Sequence, residues 1–273
     1  MVKWGMVIDL DRCAACQACS FGCAQENNCP FSLAAETRKG ILMGWHQVLT
    51  TTEGSYPYPT QKFLPMPCQH CGNAPCVRAC PVRATYKRAD GITMQDPTRC
   101  IGCRLCLVAC PYGVRAFNWF DYKKRWPEPL DQSINPTSMP VRPKGVAEKC
   151  LFNFHRLDRL KRDLEEGTVP RIVARSLGGK YTPGVEPSDE VWSEAVDILM
   201  RYFYYHQATP EDFEPHSVGY LPACVQNCAT KARAFGDLSN GNSLAAELAR
   251  SPRAFHLLEE IGTRPAVTYL KEG

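Results

Sequence analysis

Twelve cysteines stand in three tight groups, at intervals that suit thiolate ligation of iron. The groups are Cys13, Cys16, Cys19 and Cys23; Cys68, Cys71, Cys76 and Cys80; and Cys100, Cys103, Cys106 and Cys110. Cys29 follows the first group, and Cys150, Cys224 and Cys228 complete the sixteen cysteines of the chain. The third group reads C-x2-C-x2-C-x3-C and then Pro111, a run in which three thiolates hold one iron–sulfur cubane and the fourth crosses to another. Zinc ribbons need neither the third cysteine nor the fourth. Disulfides fit poorly, since cysteines one turn apart make strained bridges and a 273-residue chain can bury a core without staples. The chemistry such centres serve is single-electron transfer.

The crossing rule assigns partners. Cys80 joins Cys100, Cys103 and Cys106, and Cys110 joins Cys68, Cys71 and Cys76. The four-residue gap between Cys71 and Cys76 lengthens one loop without breaking the rule. Pro81 and Pro111 follow the crossing cysteines, where a fixed φ suits an abrupt exit. The first group then pairs with the split last one: Cys13, Cys16 and Cys19 take Cys228, which leaves Cys23 with Cys150 and Cys224. That last set lacks a ligand, because Asn153 stands where a C-x2-C step would place a thiolate. A neutral amide is a poor substitute for soft anionic sulfur. Three outcomes stay open: a three-iron or otherwise incomplete centre, which is the expectation; recruitment of Cys29; or no centre. Cys29 reads equally well as a buried bystander thiol.

The formal charge is +4. Each four-iron core with its thiolates carries about 2−, so four of them would bring the total to roughly −4, and the basic balance does not argue for nucleic acid. Arg12, Arg99, Arg104 and Lys149 lie near the motifs and are candidates to offset cluster charge. No apolar stretch is long enough to span a membrane, and MVKWGMVIDLDRC enters the first motif with no cleavable or twin-arginine leader. The expectation is a protein without its own transmembrane span. Neither a phosphate loop nor a nucleophile triad is present; SLGGKYTPG lacks the GK[ST] ending. His70, between Cys68 and Cys71, reads as solvent-facing.

These ligands need short, irregular supports. GMVIDL at 5–10 predicts a strand before the first motif, and ADGITMQDPTRC at 89–100 a hairpin before the third. Proline-rich segments such as RWPEPLDQSINPTSMPVRPKG predict loops. Helical spacing appears at 155–166 and 188–206, with Ser188 as N-cap, and SLAAELARSPRAFHLLEEIG predicts a helical tail. The aromatic run Tyr202 to Tyr205 is expected to pack against the chain's own body. The fold class is α+β: tandem dicluster ferredoxin-like units, loop-rich, with a helical insertion and a C-terminal helical tail. Residues 1–55 and 145–238 form one ferredoxin-like domain, split by the insertion 157–217; 56–144 form a second inserted into it, and 239–273 the tail.

Five segments carry a resemblance: MVIDLDRCAACQACSFGCAQENN, PCQHCGNAPCVRACPVRA, DPTRCIGCRLCLVACPYGVRAFNW, KGVAEKCLFNFHRL and YLPACVQNCATKARAFGDL. In order and spacing they resemble the four motifs of the four-cluster iron–sulfur subunits of the molybdopterin (dimethyl sulfoxide reductase) oxidoreductases. The family includes the electron-transfer subunits of polysulfide, thiosulfate, tetrathionate and arsenate reductases and that of pyrogallol transhydroxylase. The resemblance implies a noncatalytic wire with three four-iron clusters and one three-iron or atypical centre. It implies docking on a large catalytic subunit with a molybdenum or tungsten bis-pterin, and relay to a membrane-anchor, quinone-binding subunit or another carrier. The clusters of motifs one and four lie on the catalytic side in that family, those of motifs two and three on the membrane side. A peripheral location follows, with the periplasmic face, reached by co-export, set ahead of the cytoplasm. Asn153 and the insertion depart from the family pattern. Rival readings are a free-standing polyferredoxin, an enzyme acting on quinone at a cluster edge, and a redox-silent metal protein.

Overall fold

Trp4–Asp9 (β1), WGMVID, is buried along its whole length, as suits a strand covered on both faces. The computed structural model describes residues 1–29, 38, 44–121, 139–140, 142–205 and 217–271. Residues 125–138 of the proline-rich loop and 206–216 of the insertion lie outside these. In chain order the helices are Ala18–Glu26 (α1), Pro75–Arg78 (α2), Leu105–Val108 (α3), Phe154–Glu166 (α4), Arg171–Leu177 (α5), Asp189–Tyr205 (α6), Ala223–Gln226 (α7) and Leu244–Ala249 (α8). The strands after β1 are Gln47–Glu53 (β2), Thr60–Met66 (β3), Thr85–Lys87 (β4), Thr93–Gln95 (β5), Ala116–Phe117 (β6), Ala147–Glu148 (β7), Arg233–Asp237 (β8), Ala254–Phe255 (β9) and Val267–Leu270 (β10). The α+β class holds, with many short elements between loops.

One sheet ties the chain's two ends together, in the order β8-β1-β10-β9. β1 runs antiparallel to β8, with Met6 opposite Phe235, and parallel to β10, with Met6 opposite Val267. This pairing brings the strand before the first motif against the strand after Cys228. The tail departs from the helical expectation. Only Leu244–Ala249 is α-helical, capped by the Ser243 hydroxyl, which accepts from the Ala246 amide at 3.1 Å. Pro252 cannot continue a helix, and VTYL at 267–270 is buried throughout as a sheet strand. The expected hairpin forms as β4 against β5, with Thr85 opposite Gln95, so it begins a few residues early.

The described part of the insertion carries helices where its spacing implies them. Leu157, Leu160 and Leu164 of α4 share one fully buried stripe. Trp192 of α6 donates its indole N–H to the Leu157 carbonyl at 3.1 Å and meets the Trp4 ring edge-on at 4.9 Å, which docks the insertion on the central sheet. The Ser188 hydroxyl accepts from the Val191 amide at 3.3 Å, as an N-cap does. Phe203 and Tyr204 pack against the core, and the Lys231 ammonium sits 3.3 Å from the Phe203 ring centre. Leu160→Ala is expected to cost about 2–5 kcal/mol, checked by thermal unfolding of the protein.

Candidate iron–sulfur sites

The thiol loops share a backbone shape that their sequences only partly disclose. In the first motif Ala15 (φ 51°) and Gln17 (φ 62°) are left-handed; in the third, Gly102 (φ 71°) and Arg104 (φ 63°) hold the same places. His70 in the second motif and Phe152 in the fourth repeat the first of these positions. Three residues past the crossing cysteines, Arg83, Gly113 and Lys231 are left-handed as well. Non-glycine residues in this region cost about 1–3 kcal/mol each and cluster where a site needs them. The turn aims successive amides inward, as in an anion-binding nest. Amide–thiol contacts follow: Ala232 to Cys228 at 3.2 Å, Thr85 to Cys80, Ala147 to Cys100 and Phe152 to Cys150 at 3.5 Å each. At Gly102 an added Cβ would fall 2.4 Å from the Gly145 carbonyl oxygen, so glycine is needed there for conformation and space.

All sixteen cysteines are free. Cys68, Cys71, Cys76 and Cys110 ring one cavity of about 330 Å³, part of it open to solvent. Cys13, Cys16, Cys19 and Cys228 ring a second of about 340 Å³, likewise partly open to solvent. Cys23 is buried with Cys150, Cys224 and Cys29 as its thiol neighbours. Cys106 is buried with Cys100, Cys80 and Cys76 around it. Cys103 is exposed, in a loop whose backbone matches that of the equally exposed Cys16. Adjacent sets lie near one another in a fixed order: Cys224 neighbours Cys19 and Cys228, Cys150 neighbours Cys68, and Cys106 neighbours Cys76.

The donor sets fit multi-iron cores. Among the described residues no three His, Cys, Asp or Glu side chains converge on a point that would suit one metal ion. Four thiols spread around a cavity suit a cluster, in which each sulfur meets a different iron. Burial pushes the Cys71 thiol up to about 11 and Cys150 to about 12, with neighbouring cysteines adding to the shift. Only metal charge would make such buried sulfurs thiolates at neutral pH.

Asn153 does not face the Cys23 set with a free amide. Its carbonyl accepts from the Ala223 amide at 3.1 Å, and its NH2 donates to the Asn27 side chain at 3.2 Å. Asn27 in turn donates to the Cys23 carbonyl at 2.8 Å and approaches Cys23 Sγ at 3.6 Å. Asn153 is thus a strut between the two halves of the split set. Cys29 ends a left-handed turn after α1, its amide bonded to the Ala24 carbonyl at 2.9 Å; its buried thiol neighbours Glu148, Arg142 and Cys150.

Glu26, at the end of α1, clamps the first motif to the fourth. It accepts from Arg156 at 2.7 and 2.5 Å and contacts His155 at 2.7 Å. His70 is buried rather than solvent-facing: its ring stacks on Phe152 at 3.7 Å and Nδ1 accepts from the Thr93 amide at 3.1 Å. Burial, with Lys149 and Lys87 nearby, holds its pKa well below the usual histidine range. Of the four cations expected near the motifs, only Lys149 is buried; Arg12, Arg99 and Arg104 lie outward, over Tyr204, on Asp96 and over Trp119. Sequence reading missed Arg115 and Arg233, both buried beside thiols. Nothing in a linear pattern marks an arginine that tertiary packing brings inward.

A loop-rich α+β frame carrying crossed thiol sets defines a dicluster, ferredoxin-like electron-transfer protein. Residues 59–125 match a family model described as a 4Fe-4S dicluster domain. Over 98% of its length the chain is 37% identical to the menaquinone reductase iron–sulfur cluster-binding subunit of Nitratidesulfovibrio vulgaris, covering 89% of that protein. The iron–sulfur subunit of a putative dimethyl sulfoxide reductase of Halobacterium salinarum is 34% identical, with 99% of this chain and 79% of the relative aligned. The arsenate respiratory reductase iron–sulfur subunit of a Shewanella species is 30% identical over 99% and 97% of the two chains. The chain belongs to the iron–sulfur electron-transfer subunits of the molybdopterin oxidoreductases. Among its described residues no helix is long and apolar enough to cross a membrane.

Proposed function

We propose that the chain is a noncatalytic relay with four centres in a row. Cys13, Cys16, Cys19 and Cys228 hold the first; Cys23, Cys150 and Cys224 the second; Cys68, Cys71, Cys76 and Cys110 the third; Cys80, Cys100, Cys103 and Cys106 the fourth. The observation that carries this reading is the pair of cavities, each ringed by four thiols in the crossed arrangement. When bound, the clusters supply reversible one-electron chemistry. The chain's residues hold each core, direct amides at its sulfurs and keep water from most of it. Residues 1–55 with 145–238 form one ferredoxin-like unit, and 56–144 the other.

The second centre is three-iron: the in-motif thiols Cys23, Cys150 and Cys224 hold it, the neighbouring Cys29 thiol stands outside it as a bystander, and both ends of the Asn153 amide are engaged elsewhere. Asn153→Cys is expected to add about one iron and abolish the oxidised three-iron resonance, while Cys29→Ala leaves every centre in place. Low-temperature resonance spectra with iron counts decide the point: four four-iron signals in the unaltered protein would refute the three-iron assignment and make Cys29 the fourth ligand.

A molybdenum or tungsten bis-pterin subunit is the partner at the first two centres, and a quinone-reactive membrane subunit at the last two. The relatives' roles in menaquinone, dimethyl sulfoxide and arsenate reductases support this. Ile101, Leu105 and Val108 are exposed at i, i+4 and i+7 around the third motif, apolar surface that a partner would shield from water. The complex is peripheral on the membrane, on its periplasmic face. Turnover of quinone or an oxyanion by the isolated chain would overturn the noncatalytic assignment.

A further inference from the structure

Among the described residues, three cations buried beside the thiol sets have no carboxylate in an ion pair with them. Arg233, Lys149 and Arg115 are 2%, 1% and 8% exposed. Among the described residues none of them forms an ion pair with Asp or Glu, although Arg88, Arg156 and Arg253 all do. The Arg233 guanidinium meets His46 Nε2 at 2.7 Å and Met6 Sδ at 3.6 Å. Lys149 donates to the carbonyls of Cys150, at 2.7 Å, and Thr93. Arg115 bonds the Thr85 hydroxyl and the Gln95 amide oxygen through Nη2, while its buried Nε and Nη1 have no partner. Unbalanced buried charge is costly, so an anion is to be expected beside each group.

Their positions say which anion. Arg233 lines the cavity of the first thiol set and lies beside Cys224 of the second. Lys149 lines the cavity of the third set and is joined to Cys150 of the second. Arg115 also lines that cavity and neighbours Cys106 of the fourth. Each junction of the row therefore contains one cation.

We propose that Arg233, Lys149 and Arg115 are tuning groups, each raising the reduction potentials of the two centres it separates. The inference rests on the four-centre reading above. A core that gains an electron becomes more negative, and a fixed cation beside it favours that reduced state. One cation between two cores also lessens the repulsion between neighbours that are both reduced. The two inner centres have a cation on each side and the outer centres only one.

The test is a redox titration of the intact complex followed by electron paramagnetic resonance, on Lys149→Met, Lys149→Arg and Arg115→Gln. Lys149→Met is expected to keep its iron and lower the potentials of the second and third centres, leaving the first and fourth unmoved; Lys149→Arg should restore them. Arg115→Gln is expected to lower only the third and fourth. Full iron content with unchanged potentials, or an equal shift of all four centres, would overturn the inference while the cluster reading stands. Loss of iron in both neutral variants, with Lys149→Arg fully loaded, would also overturn it, by making the cations assembly groups. Absence of iron and sulfide from the unaltered protein would overturn the cluster reading itself.

Discussion

Cys76→Ala is expected to empty the third centre, removing about four irons per chain and cutting the row in its interior. Cys76 is buried among Cys68, Cys71 and Cys110; Cys68 of that set neighbours Cys150, and Cys76 itself neighbours Cys106. With that centre gone, the first two would still accept electrons from a donor on their side, but nothing would pass to the fourth. Rapid-mixing spectroscopy of the assembled complex would show a stalled, partly reduced protein. Analysis of iron and sulfide should show the loss directly, and a variant that retains the full complement would contradict the ligand assignment.

The second large effect is expected at Glu26. Burial alone would raise its pKa, but hydrogen bonds from His155 and Arg156, with the Arg156 charge, bring it from its ordinary 4.5 down to about 2. A lowered folded-state pKa means stability that is complete above the ordinary carboxylate range and is lost as the pH falls toward 2. The difference corresponds to roughly 3 kcal/mol. Glu26→Gln leaves the part-buried Arg156 against a neutral amide, and breaking a fully buried pair costs about 3–5 kcal/mol, an upper bound here. Because the clamp joins α1 to α4, the loss should fall first on the split set of Cys23, Cys150 and Cys224. Denaturant unfolding at pH 7 and pH 3 checks both parts: the variant should be weaker at pH 7, and the gap should narrow at pH 3. An equal gap at both values would show that the carboxylate charge is not what holds the two motifs.

Much of this was legible in the sequence, for definable reasons. The cysteines that line the two cavities stand out by spacing, because a cubane needs ligands within a turn or two of one another, and that demand is local. The strand before the first motif and the α4 and α6 helices announce themselves by periodicity, and the fold has them at Trp4–Asp9, Phe154–Glu166 and Asp189–Tyr205. What stayed hidden depends on long-range packing. β10 joins β1 across almost the whole chain, which no local pattern states, and so the tail read as helix where it is largely strand and turn. His70 looks like a loop residue, but Phe152 from a distant motif covers it. Ala15, Gln17 and Phe152 are left-handed although nothing in their residue types favours it.

Iron and acid-labile sulfide counts, read with low-temperature resonance spectra of the purified complex, test the central claim most directly. The account predicts about fifteen irons and sixteen sulfides in this chain, with three reducible four-iron centres and one oxidised three-iron signal. Zinc in place of iron, or cystine bridges among Cys13 to Cys228, would contradict it.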